Sequence, residues 1–147
     1  MASVWLVVTT SCGWSNMSYS HFLSVPQEWT WKDTMEFELP ELPAGRICHF
    51  EVGIRYTETY TYRDLWLLLR HNVADSTLWQ ADTLCCPLYS SKGQPLGEGL
   101  FGLYTMDWPY TSLLSDGSHQ ARVQIIPCMR SDSLRGITDV GITVRSE

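Results

Sequence analysis

The sequence predicts an all-β chain folded as a single antiparallel β-sandwich, immunoglobulin-like or jelly-roll-like, with about seven to eight strands. Three observations carry that expectation. The chain has 147 residues with 44% apolar content, enough for one packed core that needs no metal or disulfide to hold it. It contains seven Trp, seven Tyr and thirteen Thr but only two Lys, an inventory that favours strands over helices. Apolar residues recur with a period of two along most of the chain, and turn-forming stretches interrupt them.

Thr34 to Leu39 alternates polar and apolar residues and is closed by the turn composition Pro40-Glu41-Leu42-Pro43-Ala44-Gly45. From Ile47 to Tyr56, Cys48, Phe50, Val52, Ile54 and Tyr56 share one face, with His49, Glu51 and Arg55 on the other. That is a half-buried antiparallel strand with His49 toward solvent. Leu65 to Leu69 is continuously apolar and short, which predicts a central strand covered on both faces. After the turn Asn72-Val73-Ala74-Asp75-Ser76, Thr77 to Cys86 reads as the return strand of a hairpin, and Ser90 to Pro95 as a loop. Gly97, Gly99 and Gly102 within Leu96 to Tyr104 suit a bent strand or bulge. A phosphate cradle would need an amphipathic helix behind it, where this chain has Trp108-Pro109-Tyr110. His119 to Ile126 and Ile137 to Val144 complete the strands, the last with Ile137 and Gly141 opposite Val140, Ile142 and Val144.

The charge pattern excludes several partners. Ten basic residues face sixteen acidic ones, a net charge of −6, and the arginines are scattered, so neither nucleic acid nor an anionic lipid surface finds a basic cluster. No stretch approaches the length of a transmembrane helix. At the amino terminus, apolar Val4 to Val8 precedes the small residues Thr9, Thr10 and Ser11 directly before Cys12. That pattern resembles a bacterial lipoprotein signal with Cys12 as the lipidated residue, the small side chains suiting a signal peptidase pocket. No Lys or Arg precedes the apolar run and the segment is short, so residues 1–19 read as a truncated signal and tether and 20–147 as the sandwich domain. The absence of acid between Cys12 and Glu28 favours a periplasm-facing anchor. Cys48, Cys85, Cys86 and Cys128 remain, as free thiols or in disulfides whose pairing the sequence leaves open; adjacent ligand pairs on a strand point to opposite faces and make a poor zinc site.

No nucleophile elbow occurs, His21, His49, His71 and His119 stand in unrelated contexts, and Glu36 and Glu38 share a strand face suited to solvent. No enzyme activity, cofactor or metal is expected. From a different functional class, Trp29, Trp31, Trp79 and Trp108 could serve a carbohydrate- or ligand-binding sandwich, with Trp29 and Trp31 on one face.

Five segments follow one another in a recognisable order. They are Ser24-Val25-Pro26 through Trp29 to Asp33-Thr34, Tyr60 to Leu67, Asp82-Thr83-Leu84, Leu96 to Leu100, and Met129-Arg130 with Gly136 to Gly141. Together they resemble the bacterial gliding-motility lipoprotein H (GldH) family over about residues 20 to 145. The resemblance implies a cell-envelope lipoprotein associated with the gliding machinery, with partners among envelope proteins of that machinery or the related secretion apparatus, and a membrane anchor through Cys12. It carries over no catalytic residue. The family-motif residues taken as interaction candidates are Tyr60, Tyr62, Trp66, Gly97, Gly99, Arg130, Gly136 and Asp139. Tyr60 and Tyr62, two apart, are expected on one strand face, as a contact patch or as a cap on the core. Asp139 is expected to accept from Arg130 or a backbone N–H in a structural pair.

Overall fold

The computed structural model describes residues 16–147. Nine strands run in chain order: β1 (Ser18–Ser24), β2 (Met35–Glu38), β3 (Arg46–Thr57), β4 (Asp64–His71), β5 (Gln80–Pro87), β6 (Glu98–Leu100), β7 (Leu103–Ser115), β8 (Arg122–Pro127) and β9 (Ile137–Ser146). They form a five-stranded sheet, β1-β9-β3-β7-β6, and a four-stranded sheet, β2-β8-β4-β5, with every pairing antiparallel. The all-β sandwich expectation holds, and two strands that the periodicity did not mark, β1 and β7, account for the higher strand number.

The core lies between the sheets and is built by alternation. Cys48, Phe50, Val52, Ile54 and Tyr56 of β3 point inward, as do Leu65, Leu67 and Leu69 of β4, Val123 and Ile125 of β8, and Val140, Ile142 and Val144 of β9. β4 departs from its expectation. It is internal to its sheet, but only one face is covered: Trp66 stands 45% exposed on the other, so the apolar run is half-buried rather than enclosed. The return strand of its hairpin begins at Gln80 rather than Thr77, because a turn with Leu78 N–H bonded to Asp75 O at 3.2 Å occupies the intervening residues. β8 similarly begins at Arg122.

Two bulges explain the remaining differences. Between β3 and β9, Tyr56 pairs with Ile137 and Arg55 with Asp139, which leaves Thr138 as an extra residue. Its hydroxyl donates to Arg55 O at 3.2 Å and its carbonyl accepts from Val25 N–H at 3.0 Å. The bulge inverts the strand's phase, so Ile137 is buried with Val140, Ile142 and Val144 instead of facing away from them. Between β3 and β7, Glu51 pairs with Pro109 and Phe50 with Thr111, leaving Tyr110 unpaired. β6 reaches only Thr105, so Pro109 lies where β7 has β3 as its sole ladder partner, and its missing N–H breaks no ladder bond on the open edge.

The strand ends sort into two poles. Ser18, Arg46, Ser115 and Ser146 meet at the pole where the described chain enters; Ser24, Thr57, Leu103 and Ile137 meet at the other. In the second sheet Asp64, Pro87 and Pro127 belong with the far pole and His71, Gln80 and Arg122 with the entry pole. The 12 residues of β3 put about 36 Å between the poles.

Candidate functional site

The connections at the far pole are residues 25–34, 58–63, 88–97, 101–102 and 128–136; those at the entry pole are 39–45, 72–79 and 116–121. Four of the five family-like segments fall in or beside the far-pole connections, and the fifth, Asp82 to Leu84, lies within β5. The entry-pole connections contain none. The far pole is therefore the candidate functional end of the sandwich, and its residues divide into those that build it and those it displays.

Tyr60 and Gly136 are builders. Tyr60 is not in a strand and does not share a face with Tyr62, because Thr57 O accepts Tyr60 N–H at 3.1 Å in a turn that ends β3. Its ring is buried at 3% exposure, and its hydroxyl donates to Asp64 O at 2.8 Å. Burial, more than its neighbours' charges, holds that phenol protonated far above the ordinary range. Gly136 packs against the same turn: its carbonyl accepts Thr57 N–H at 2.8 Å, its φ is +91°, and a Cβ would lie 2.2 Å from Tyr60 N. Only glycine combines that conformation with that approach.

Gly97 and Gly99 build the neighbouring corner. Gly97 N–H donates to the buried Tyr56 hydroxyl at 2.9 Å, and that hydroxyl donates onward to Leu88 O at 2.7 Å. A Cβ on Gly97 would stand 2.8 Å from Thr105 O, and one on Gly99 1.8 Å from Leu103 O. These glycines are close-approach positions leading into a tight hairpin, Gly99 within the short strand β6 and Gly97 in the connection before it. The Tyr56 ring is held between Tyr89 and Tyr104, with both centroids at 5.5 Å. Asp139 accepts from Ser24 Oγ at 3.0 Å across the β1–β9 ladder, so the acceptor role expected toward Arg130 or a backbone N–H is filled by a side-chain tie between strands.

Tyr62, Trp66 and Arg130 are displayed. Trp66 is the most exposed of the outward residues of β4, in register with Cys85; its carbonyl accepts Cys128 N–H at 2.8 Å, and its N–H points to Met129 Sδ at 3.3 Å. Together with Tyr62, Trp66 and Arg130, Cys128, Met129 and Ser131 line a shallow depression. Tyr62 is 43% exposed, its ring edge-on to Tyr60 at 5.7 Å. Among the described residues Arg130 has no ion-pair partner, whereas neighbouring charges are matched, Arg63 with Asp64 at 3.1 Å and Arg135 with Glu28. The sequence contained all three displayed residues, but only the fold brings Arg130 to the tyrosine-tryptophan motif.

The hairpin joining β6 to β7 was missed as a display element. Leu100 pairs with Leu103, so Phe101 and Gly102 form a two-residue turn, and both have positive φ, 56° and 76°. Leu96, Leu100, Phe101 and Leu103 are all exposed. The described tryptophans do not gather into one platform. Trp29 is buried, its indole N–H donating to Asp33 O at 2.8 Å, so it does not share a face with the exposed Trp31. Trp79 lies under the Arg70 guanidinium at 5.5 Å, toward the entry pole and about four residues, or 13 Å, along β4 from Trp66. Cys12 lies outside the described residues. The four described thiols are free: Cys48 and Cys86 are buried, Cys85 is half-buried and Cys128 exposed. Burial pushes the Cys86 thiol up to about 12.

The family model described as GldH lipoprotein matches residues 17–144. No curated protein matches the chain.

Proposed function

Because the chain belongs to the GldH lipoprotein family, we propose that it is a non-enzymatic accessory or scaffold component of the bacterial gliding-motility machinery that works through protein–protein contacts. Lipid on Cys12 holds it to an envelope membrane with the sandwich facing the periplasm. The observation that carries this reading is the gathering of the family-like segments at the pole opposite the described chain's entry, where Tyr62, Trp66 and an Arg130 with no ion-pair partner among the described residues lie exposed. Packing accounts for Tyr60, Gly97, Gly99 and Gly136 but asks for no exposed tryptophan lining one depression with an exposed arginine. Aromatic and arginine side chains grouped this way are what protein interfaces use as energetic anchors. An anchor near residue 12 places that pole away from the membrane and toward partners.

The test is the native protein extracted from its own membranes. The expected result is a lipid-modified peptide beginning at Cys12, with envelope motility or secretion proteins co-purifying. The double variant Trp66→Ala, Arg130→Ala should keep the lipid and the fold and lose those proteins. An intact, unmodified amino terminus in the soluble fraction would overturn the anchor. Unchanged co-purification in the double variant would overturn the contact surface.

A further inference from the structure

Resting on the reading that this chain acts through protein contacts, we infer that the β6–β7 hairpin tip, Leu100-Phe101-Gly102-Leu103, is a plug that enters an apolar pocket rimmed by basic residues on a protein partner. Phe101 is 104% exposed, as open as a side chain can be, in the far-pole turn between β6 and β7. Leu100 and Leu103 flank it at 78% and 44%, and Leu96 lies exposed at the base. Leu100 and Leu103 are cross-strand partners, so with Phe101 between them they form an apolar tip of the kind that marks an interaction site. A two-residue turn with both φ values positive is normally Asn-Gly or Asp-Gly, and a bulky residue rarely occupies its first position. The fold gains nothing from a ring there, since the ring is entirely in solvent. A locally unfavourable residue at an exposed tip is the pattern of a functional position.

Charge and geometry select the occupant. Glu58 sits beside Gly102, where it accepts from Tyr104 Oη at 3.1 Å, and Glu98 lies two residues before Leu100 on the same strand face. Arg55, in register with Thr105, is turned onto the Phe22 ring 4.0 Å away. Two carboxylates thus flank the apolar tip, the nearby Arg63 being paired with Asp64, on a chain of net charge −6, which repels anionic lipid and attracts a basic rim. A symmetric, tip-to-tip contact with a second copy of this chain would set the same carboxylates against each other. The tip also lies at the pole about 36 Å from the chain's entry, so a lipid on Cys12 holds it away from its own membrane.

The test is a photoreactive phenylalanine analogue placed at 101, at 66 or, as a control, at Leu114, which is exposed near the entry pole, in cells carrying the full chain. The expected result is a discrete protein adduct from position 101 and none of that mass from position 114. Its cross-linked peptide should be an apolar segment flanked by Lys or Arg, and its yield should fall at least fivefold in Glu58→Lys, Glu98→Lys. In parallel, the purified chain should not bind phosphatidylethanolamine–phosphatidylglycerol vesicles. Vesicle binding abolished by Phe101→Asp would overturn the inference in favour of lipid. An adduct of twice the chain mass would overturn it in favour of a second copy. An adduct at 66 but none at 101 would refute the plug while leaving the contact reading intact, and none at either would refute both.

Discussion

Replacing Phe101 with Asn should make this protein more stable, although it removes a large apolar side chain. The turn holds Phe101 at φ 56°, a region that costs an ordinary L-residue roughly 1–2 kcal/mol and that Asn tolerates through its short polar side chain. Because the ring is fully exposed, the substitution forfeits no buried area to offset that relief. Recovering about half the strain gives about 0.5–1 kcal/mol, which for a chain of this size raises Tm by about 2 °C. Gly102 supplies the matched opposite. At φ 76°, its nearest contact to an added Cβ is Glu58 Cδ at 4.0 Å, so Gly102→Ala meets open space and pays only the backbone penalty, about 1 kcal/mol of destabilisation. Urea unfolding followed by tryptophan fluorescence measures both variants. If Phe101→Asn lowers stability by more than about 0.5 kcal/mol, the ring makes native contacts and the reading of the turn as strained and free is wrong.

Four further outcomes are expected. Gly136→Ala combines a positive φ with a Cβ 2.2 Å from Tyr60 N, so it should destabilise by about 3 kcal/mol or more in the same unfolding assay. Tyr56→Phe leaves Gly97 N–H and Leu88 O without their buried hydroxyl and should cost about 2 kcal/mol, with little change in the near-ultraviolet spectrum of the remaining core. His71 is buried, with Nδ1 unpartnered among the described residues and the Tyr110 ring edge-on; burial lowers its pKa below 6.5 against the weaker opposing pull of Asp82. The unfolded chain therefore binds the proton more readily, stability falls as pH drops from about 6.5 toward the folded pKa, and His71→Gln should flatten that slope in urea midpoints. A bulky thiol reagent should modify Cys128 first and Cys85 slowly while sparing Cys48 and Cys86 until denaturant is added, as intact mass will show.

The alternation along β2, β3 and β8 was legible in the sequence because each has one face on the core and one toward solvent, so polarity tracks burial. β7 was not, and the reason is local. Pro109 argues against a strand, and its tolerance depends on a short β6 leaving that edge open, a fact about another segment. β1 lacked a signal because Ser18-Tyr19-Ser20-His21 offers little apolar contrast; it is an edge strand whose Phe22 ring rests on Gly53 and Gly141 on the sheet's outer face. The phase of β9 was legible only up to its bulge. One extra residue at Thr138 moves Ile137 into the core, and nothing in Gly136-Ile137-Thr138-Asp139 announces it.

The same contrast sorts the candidate site. Wherever a motif residue is demanded by packing, its type follows from geometry: Gly99 because a Cβ has no room, Gly136 because of φ and Tyr60, Asp139 because Ser24 lies across the ladder. Such residues would persist in any chain that needed this fold, whatever it bound. Trp66, Arg130 and Phe101 follow the opposite logic. An outward position on β4 would accept a threonine, a loop arginine with no ion-pair partner among the described residues serves no carboxylate of the sandwich, and a two-residue turn would prefer asparagine. The fold explains where these three stand but not what they are, and that residue is the portion of the sequence left for a partner to explain. Phe101-Gly102 became readable as a departure only when the Leu100–Leu103 pairing fixed the turn length, because a Phe-Gly pair inside an unassigned glycine-rich stretch violates no rule.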